Sequence, residues 1–497
     1  MIVTDPSDAP RRLPSVDLSA FIKAYDVRGT VPDQLDAGVV RAIGAAFADV
    51  VVLPEAPEGR PPRAVIGHDM RPSSPELSRA FADGLASRGV DVTLIGLCST
   101  DGLYFASGFL GIPGAMFTAS HNPAQYNGIK MCRAGAKPVG QDSGLSAIRD
   151  LAQSRLDAGT LPEETGSIGE VDEQDLLKAY AQHLRTLVDL TGSRRLKVVI
   201  DAGNGMGGFT APAVLGDDAG LPALPLDVVP MYFELDGTFP NHEANPLDPA
   251  NLVDLQAAVP EHGADIGLAF DGDADRCFVI DEKGDPVSPS AVTAMVARRE
   301  IAKEIRAGRE PVVIHNLITS RAVPEIIAAD GGTPVRTRVG HSFIKERMAE
   351  VGAVFGGEHS AHYYFREFWS ADTGMLAAMH VLAALAEQDR PLSELAAEYE
   401  KYVASGEINS TVQDAAATTE RVVAAVRETA AAEGEELEVD RLDGVTVFHP
   451  ASERQPMWWF NLRASNTEPL LRLNAEGADE ATMVAVRDRV LALVRGA

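Results

Sequence analysis

The chain has 497 residues, of which 45% are hydrophobic and 23% are charged, and its formal net charge is −28. This length exceeds that of one compact core and predicts three or four domains. An acidic surface repels polyanions, which excludes nucleic acid and anionic membranes as the main partners and requires locally concentrated positive charge if the substrate is anionic.

The cysteines and the N-terminal segment bear on the cellular compartment. Cys98, Cys132 and Cys277 are odd in number and far apart, and they fit neither a disulfide framework nor a zinc site. The first 20 residues lack the apolar core of a secretory signal, and no uninterrupted apolar run reaches the length of a membrane span. We therefore expect a cytoplasmic protein with no membrane partner.

Three segments share a strand–helix–strand pattern. They begin at Arg63, Leu196 and Pro311, and each combines a β-branched strand, a polar or glycine-containing turn, a helical stretch and a second strand. Units of about 30 residues with this order are typical of parallel α/β sheets. The repetition predicts three related α/β domains.

The pattern changes after residue 400. Strands are predicted in SGEINSTVQD, GVTVFHP and WWFNLRAS, and helices in TTERVVAAVRETAAAEG and ADEATMVAVRDRVLALVRGA. Because strands and helices no longer alternate as parallel crossovers, we expect a smaller α+β domain here. Acidic and polar connecting segments place the four domains at 1–172, 173–286, 287–400 and 401–497.

A polar run follows a predicted buried strand in the first domain. It reads MFTASHNPAQYNGIK and contains Ser120, His121 and Lys130. Side chains at the end of a buried strand can face a cleft. On its own, a run of this kind is more often an ordinary Asn-Pro turn followed by a solvated lysine, so its interpretation depends on the rest of the chain.

The second domain contains three alternating carboxylates in DGDADR. Asp271, Asp273 and Asp275 share one face of an extended chain, where they repel each other unless a cation lies among them. Oxygen ligands alone select a hard ion, Mg²⁺ or Ca²⁺. Arg276 beside them is suited to hold a phosphate that bridges to the metal.

Two further polar stretches offer ligand-binding groups. In GGEHSAHYYF, Glu358 and Ser360 supply an acceptor and a donor two residues apart, a pair that suits adjacent sugar hydroxyls. In LRASNTEPLLRL, a guanidinium, two hydroxyls and an amide form the parts of a phosphate cradle. These four residues are Arg463, Ser465, Asn466 and Thr467. Taken alone, Glu358 and Ser360 are more typical of a solvated loop, and the second stretch is more typical of a Ser/Asn cap before a turn.

Together, TASHNP, DGDADR, GEHSAH and RASNTEP, in this order, resemble the α-D-phosphohexomutase superfamily, and most of all its bacterial phosphomannomutase/phosphoglucomutase branch. The resemblance covers nearly the whole chain, including AYDVRG and RVGHSFIK. It implies four domains around a central cleft, three related mixed α/β domains and a smaller C-terminal α+β domain. It also implies an intramolecular phosphotransferase that interconverts hexose 1-phosphate and hexose 6-phosphate through a hexose 1,6-bisphosphate.

The resemblance implies a role for each reaction-centre residue. Ser120 carries the phosphoryl group, and Mg²⁺ held by the three aspartates bridges to the Ser120 phosphate. Lys130 matches the family's candidate general base, which needs a lowered pKa that Arg28 is expected to favour. His121 is expected to orient the loop or the phosphate.

The resemblance also implies the substrate-binding residues. Tyr25 and Arg28 match an entry motif that lines the cleft, Glu358 and Ser360 match the sugar-hydroxyl loop, and the cradle residues match the loop for the non-reacting phosphate. His341 and His362 lie in segments that line the cleft. Some relatives carry a substrate-contacting lysine where this chain has Leu317.

The sugar and the reaction class leave alternatives open. SNTEP in place of SGTEP favours mannose or glucose over glucosamine, and the resemblance favours mannose. Glu358 and Ser360 are expected to address O3 and O4, whereas mannose and glucose differ at C2, so both remain candidates. There are two alternatives. Within the family the protein is a phosphoglucosamine mutase, and outside the family it is a sugar phosphatase with an aspartyl nucleophile in FDGDAD. A non-catalytic sugar-phosphate binder is disfavoured because Ser120, Lys130 and the aspartates are all present.

Overall fold

The structure is a computed structural model that describes residues 16–23, 25–159, 168–464 and 470–496. Within these residues, the strands form one sheet of seven strands and three sheets of five. Each of the first three sheets combines parallel and antiparallel pairs, and the fourth is antiparallel throughout. This confirms the predicted fold class of three mixed α/β domains and a C-terminal α+β domain.

The first sheet carries the polar run in the connection between two of its strands, which pair antiparallel. Its strands are β1 (Val27–Thr30), β2 (Arg63–His68), β3 (Asp91–Leu97), β4 (Gly114–Phe117), β5 (Tyr126–Arg133), β6 (Lys137–Pro138) and β7 (Val171–Glu173). They are ordered β1-β5-β4-β2-β3-β7, with β6 beside β5. The helices are α1 (Ala37–Phe47), α2 (Leu53–Glu55), α3 (Ser74–Ala86), α4 (Thr100–Leu110) and α5 (Leu145–Ala158). Since β2, β3 and β4 are parallel, the turns that follow them lie at one edge of the sheet.

The second sheet is ordered β12-β11-β10-β8-β9 and carries the acidic loop between two central strands. Its strands are β8 (Leu196–Asp201), β9 (Leu226–Met231), β10 (Ile266–Phe270), β11 (Cys277–Asp281) and β12 (Pro286–Val287). Its helices are α6 (Leu177–Leu187), α7 (Gly207–Val214) and α8 (Val253–His262). β10 and β11 pair antiparallel, so the acidic segment is the tight connection of a hairpin whose strands are buried.

The third sheet is ordered β14-β13-β15-β16-β17. Its strands are β13 (Val312–Asn316), β14 (Thr333–Thr337), β15 (Phe355–Gly357), β16 (Tyr363–Phe365) and β17 (Ala371–Asp372). Its helices are α9 (Pro289–Arg306), α10 (Ala322–Ala329), α11 (His341–Val351), α12 (Gly374–Ala386) and α13 (Leu392–Ala397). The three predicted strand–helix–strand units are confirmed as β2–α3–β3, β8–α7–β9 and β13–α10–β14, each with parallel strands.

The fourth sheet is ordered β18-β22-β21-β20-β19. Its strands are β18 (Val403–Thr411), β19 (Glu438–Asp440), β20 (Val445–His449), β21 (Trp458–Ala464) and β22 (Leu470–Gly477), and its helices are α14 (Ala415–Glu433) and α15 (Glu480–Arg495). Along β21, Trp458, Phe460 and Leu462 alternate into a core shared with both helices. The predicted strands and helices of this domain are confirmed, whereas β19 and β22 were not predicted.

The first three domains are joined by a shared hydrophobic core, whereas the fourth domain has a separate one. One continuous core joins α4 of the first domain to the second and third domains, and a further core fills the rest of the first domain. The buried core of the fourth domain is separate from both. We therefore expect the fourth domain to move more readily than the other three.

The helical run from Ala37 to Glu55, which includes a π-helical turn at Ala48–Val52, is apolar. Among the described residues it alone combines the length of a membrane span with a mean hydropathy of 1.7, and 61% of that window is buried inside the protein. Its apolar residues belong to the core of the first domain.

The predicted domain limits fall close to strand ends. The limit at 172 lies within β7, which pairs with β3 of the first sheet, and the limit at 286 lies within β12, which pairs with β11 of the second. Both strands complete the preceding sheet. The exact limits remain a proposal.

Candidate active site

Ser120 lies in the turn between β4 and β5, at the predicted strand end. Its side chain is buried and its backbone adopts a left-handed conformation, with φ of +50°. The Ser120 hydroxyl donates a hydrogen bond of 2.9 Å to Oδ2 of Asp271 in the second domain. The close docking of the two loops requires Gly272, since a Cβ there would lie 2.4 Å from the Ser120 carbonyl oxygen.

Asp271, Asp273 and Asp275 are all buried, and one carboxylate oxygen from each lies within 4.8 Å of the others. Oδ1 of Asp273 and Oδ1 of Asp275 are buried with no hydrogen-bond partner among the described residues. Buried carboxylate oxygens that lack donors are suited to a cation. The three residues therefore fit a hard divalent metal ion, as the sequence predicts.

Lys130, on β5, projects into this cluster. Its ammonium donates to Oδ2 of Asp273 and to Oδ2 of Asp275, each at 2.7 Å. Burial opposes the charged form, but the two carboxylates outweigh it and raise the pKa of Lys130 well above its usual value. The expected lowering of the Lys130 pKa is therefore wrong for this structure, because the two carboxylates determine its direction. Arg28 donates hydrogen bonds to Asp26 at 2.7 Å and to Asn122 at 2.5 Å.

Arg276 connects the acidic loop to the serine loop. Its Nε donates to Asp271 at 2.9 Å, and its Nη2 donates to Nδ1 of His121 at 2.8 Å. Burial, together with the positive charges of Arg276 and Arg28, lowers the pKa of His121 to about 3. His121 is thus neutral with its Nδ1 lone pair engaged, a state suited to the orienting role that the sequence predicts. The Arg276 guanidinium is used within the protein, so its predicted phosphate contact requires rearrangement.

The predicted sugar loop lies between β15 and β16 and contacts the acidic loop. Ser360 Oγ lies 3.1 Å from Nδ1 of His362, and Nε2 of His362 lies 3.6 Å from Oδ1 of Asp275. The backbones of Arg276 and His362 form an isolated antiparallel bridge. The fold therefore brings the predicted sugar loop of the third domain to the acidic loop of the second.

Glu358 is oriented by two residues that the sequence analysis missed. Asn316 Nδ2 donates to Oε2 of Glu358 at 3.0 Å, and the Tyr364 hydroxyl donates to Oε1 at 2.6 Å. Asn316 ends β13, 42 residues before Glu358 in the chain, whereas Tyr364 lies on β16, six residues after Glu358 and within the same GGEHSAHYYF stretch. Leu317, next to Asn316, is buried and lines a small cavity between the third and fourth domains.

The edge of the first sheet that carries Ser120 also carries Thr100, another residue that the sequence analysis missed. Thr100, at the start of α4, donates from Oγ1 to Oδ2 of Asp273 at 2.6 Å, and its backbone N–H donates to the Asp273 carbonyl at 3.0 Å. A signal was available, because Thr100 follows β3, and the carboxyl ends of the parallel strands β3 and β4 meet at one edge.

On the fourth domain, Arg463 lies near the end of β21. Its guanidinium lies 3.7 Å from Glu407 and 3.9 Å from Asp443, and its Nε is buried with no partner in the described ranges. The other predicted cradle residues, Ser465, Asn466 and Thr467, fall outside the described residues. Tyr25 makes an edge contact with Phe343, and burial raises its pKa. His341 begins α11, and its side chain falls outside the description.

The chain matches all four domains of one protein family, in order. Residues 20–157, 178–284 and 288–402 match the phosphoglucomutase/phosphomannomutase alpha/beta/alpha domains I, II and III, and residues 407–493 match the C-terminal domain. Together these matches cover most of the chain and follow the sheets described above.

Relatives and solved structures agree with these matches. A protein named "Phosphohexose mutases" from Xanthomonas campestris pv. campestris is 40% identical over 96% of this chain and 100% of its own length. A phosphomannomutase from Salmonella typhimurium is 38% identical over 94% of this chain and 97% of its own. A crystal structure of a phosphoglucomutase/phosphomannomutase family protein from Burkholderia thailandensis has 30% identity and a TM-score of 0.80 over 96% of this chain and 98% of its own. The chain therefore belongs to the phosphoglucomutase/phosphomannomutase family.

Proposed function

We propose that this protein interconverts hexose 1-phosphate and hexose 6-phosphate through a phosphoserine at Ser120 and a hexose 1,6-bisphosphate intermediate. The observation that carries the proposal is the position of the Ser120 hydroxyl, 2.9 Å from Asp271 and within a cluster of three buried aspartates. A serine so placed can carry a phosphoryl group beside a metal ion. The Lys130 ammonium at the same carboxylates supplies a proton-transfer group.

We infer that Asp271, Asp273 and Asp275 hold Mg²⁺ together with the phosphate on Ser120. When bound, the ion offsets negative charge on the transferring phosphoryl group. Lys130 is the proposed base for the attacking sugar hydroxyl. Because its ammonium now contacts Asp273 and Asp275, it must leave them, or their charge must be offset, before it can accept a proton.

The other end of the substrate is assigned to the third and fourth domains. Glu358 and Ser360 bind adjacent sugar hydroxyls, and Arg463 with Ser465, Asn466 and Thr467 binds the non-reacting phosphate. Tyr25, Arg28, His341 and His362 line the cleft between them. The bisphosphate then turns around and its two ends exchange places. The phosphate first held by the fourth domain passes to Ser120 and restores the phosphoserine, while the phosphate received from Ser120 takes its place in the fourth domain.

The substrates are hexose phosphates, with mannose favoured and glucose expected as well. The relatives named phosphomannomutase support mannose. Phosphoglucosamine is the alternative within the family. The free buried thiols support a reducing compartment, and we propose a cytoplasmic location.

A phosphatase with an Asp271 nucleophile is the alternative from another reaction class. Both carboxylate oxygens of Asp271 already accept hydrogen bonds, Oδ1 from the Arg276 backbone and Oδ2 from the Arg276 and Ser120 side chains. Its side chain is fully buried. An oxygen that must attack phosphorus needs a free approach, so this geometry favours Ser120 as the phosphoryl carrier.

Two measurements test the proposal. Coupled assays compare kcat/KM for mannose 1-phosphate, glucose 1-phosphate and glucosamine 1-phosphate in the presence of Mg²⁺ and hexose 1,6-bisphosphate. Intact mass and peptide mapping of the purified protein should place phosphate on Ser120, and Ser120→Ala should abolish both phosphate and mutase activity. A hydroxylamine-sensitive acyl phosphate on Asp271, with Ser120 unmodified, would support the phosphatase.

A further inference from the structure

Arg71 lies in the loop between β2 and α3, and its side chain is fully buried. Its guanidinium makes an unusual set of contacts, because four of its hydrogen bonds go to backbone carbonyls of the serine loop. Nη2 donates to the carbonyls of Ser120 at 2.9 Å and Asn122 at 2.7 Å, and Nη1 donates to those of Pro123 at 2.9 Å and Tyr126 at 3.0 Å. One side chain thus spans the whole turn between β4 and β5.

The arginine is itself held in place by its own loop. Arg71 Nε donates to Oδ2 of Asp69 at 3.2 Å, and the Arg71 backbone N–H donates to Oδ1 at 3.0 Å. Ser74 Oγ donates to the same Oδ1 at 2.6 Å, and the Asp69 N–H donates to the Phe117 carbonyl at the end of β4. The buried Asp69 carboxylate therefore orients the guanidinium before any substrate arrives.

The second domain covers the outer side of Arg71. The ring of Phe239 lies 5.1 Å from the guanidinium carbon, and a Cβ on Gly237 would lie 2.6 Å from the Arg71 Cα. These close contacts leave Arg71 no room to swing away from the serine loop. They also place it at the junction across which Ser120 meets the aspartates.

Ser120 needs such support because its φ of +50° lies in the left-handed region, which residues other than glycine rarely adopt. Conformations of this kind persist where surrounding contacts over-determine them. The Ser120 carbonyl is held by Arg71 and faces Gly272 of the acidic loop. Its backbone is thereby clamped between the first domain's arginine and the second domain's metal loop.

We propose that Arg71 is a positioning residue for the phosphoryl-carrying serine. It holds the Ser120–Tyr126 backbone in the one conformation that directs Ser120 Oγ at Asp271, and it makes no contact with substrate. The inference rests on the proposed role of Ser120. A lysine would keep the charge but, as a single flexible ammonium, could not reproduce the planar set of donors that joins four carbonyls.

The test compares Arg71→Lys with a matched control, Arg185→Lys. Arg185 also ties backbone carbonyls together, donating to Val214 at 2.7 Å, Gly216 at 2.6 Å and Pro222 at 2.5 Å, but it does so in the second domain and away from the serine loop. Both variants and the unmodified protein are assayed with saturating hexose 1,6-bisphosphate, well below their unfolding temperatures, so that folding and serine phosphorylation do not limit the rate.

We expect Arg71→Lys to lower kcat about a hundredfold with little change in KM, since displacing a reacting group by about 1 Å has effects of this size. Amide hydrogen exchange in residues 120–126 should quicken in Arg71→Lys alone. Arg185→Lys should lower thermal stability and leave kcat unchanged. Equal kcat for Arg71→Lys and the unmodified protein, or an equal loss in both variants, would overturn the inference.

A second variant covers the case in which Arg71→Lys does not fold. Asp69→Asn keeps the shape of the anchor but weakens its charge-assisted bond to Arg71, and should lower kcat about tenfold at unchanged KM. An unchanged kcat in Asp69→Asn would also overturn the inference. If the unmodified protein itself has no mutase activity, the proposed function fails instead, and the two failures are thereby distinguished.

Discussion

Where the first two domains meet, Ser120 and the aspartates are buried, Lys130 is partly buried, and hydrogen bonds of 2.7–2.9 Å join them. On the fourth domain, Arg463 lies 3.7 Å and 3.9 Å from its two carboxylates, beyond hydrogen-bond distance. The first region is organised without substrate. The second leaves a cation with only distant partners among the described residues, as expected of a group that binds an external phosphate.

The packing of the domains accounts for this contrast. The first three domains are linked through a continuous apolar core, whereas the fourth has a core of its own. Its contacts with the third domain include polar ones, such as Arg321 N–H to Glu476 at 2.9 Å and Val339 N–H to Asp443 at 3.2 Å. A small domain attached in this way can swing towards the cleft when ligand binds. The proposed function thus assigns the phosphoryl transfer to the first two domains and the binding of the non-reacting phosphate to the fourth domain.

The largest expected effect on activity comes from a substitution in the aspartate cluster, where the first two domains meet. Asp273→Asn keeps the size of the side chain and an acceptor for Thr100, but removes a negative charge from the buried aspartate cluster. Oδ1 of Asp273 has no hydrogen-bond partner among the described residues and is therefore suited to a metal ion. Metal catalysis contributes several kcal/mol, so activity should fall about a thousandfold or more. Calorimetry should show weakened Mg²⁺ binding with the fold intact.

Asp265→Asn is the control, because Asp265 accepts the Lys197 N–H in the same domain outside the cluster. Full activity of Asp273→Asn, or of the unmodified protein in EDTA, would contradict the metal role.

The next largest effect on activity is expected when Arg463, the proposed phosphate-binding arginine, is replaced. Arg463→Ala removes a charge-assisted contact of about 1.5–3 kcal/mol, which corresponds to a tenfold to hundredfold loss of kcat/KM. Released hexose 1,6-bisphosphate should increase, because the proposed contact holds one phosphate of the intermediate before and after it turns. Arg441→Ala serves as the control, since Arg441 pairs with Glu420 at 2.5 Å on an exposed face of the same domain. Unchanged kinetics and unchanged release would mean that Arg463 is only structural.

A third substitution tests whether the Lys130 ammonium competes with a metal ion for Asp273 and Asp275. Lys130→Met removes the ammonium from Oδ2 of Asp273 and Oδ2 of Asp275, the two carboxylates whose Oδ1 atoms are suited to a metal ion. Mg²⁺ should then bind about tenfold more tightly, because a competing charge at close range is gone. Mutase activity should nevertheless fall, since the proposed base is lost. Weaker metal binding in calorimetry would show that Lys130 assists the ion instead of competing with it.

The smallest effect is expected where one contact orients the sugar loop. Tyr364→Phe removes the 2.6 Å hydrogen bond to Glu358 but leaves Asn316 in place, so KM should rise about threefold to tenfold with little change in kcat. The neighbouring Tyr363 is the matched control, because its buried hydroxyl has no hydrogen-bond partner in the part of the chain described. A larger KM effect from Tyr363→Phe than from Tyr364→Phe would contradict the assignment.

The sequence predicted those parts that depend on local pattern. The strand–helix–strand units follow from alternating apolar stretches and turn residues, and they are present as β2–α3–β3, β8–α7–β9 and β13–α10–β14. The acidic cluster was predictable because Asp271, Asp273 and Asp275 lie in one short loop. β19 was missed because an edge strand of three residues carries a weak periodic signal. β22 is a central strand of eight residues, and the alternation of Leu471, Leu473 and Ala475 with polar residues was a signal that could have identified it.

Partners far apart in the chain could not be predicted in this way. Thr100 reaches Asp273, and Arg71 reaches Ser120, only because separate loops meet at a sheet edge. The charge state of Lys130 was misjudged for the same reason, since its pKa depends on two carboxylates from another domain and not on Arg28 nearby in the sheet.

The sequence by itself determined which residue types each loop offers, because backbone pattern, turn chemistry and ligand spacing are local properties of the chain. The tertiary structure alone decided which of them touch and how they are charged. Domain packing brings Ser120 to Asp271, places Lys130 between Asp273 and Asp275, and leaves Arg463 on a separate core. Burial and proximity, which set hydrogen-bond partners and pKa values, exist only once distant segments have packed together.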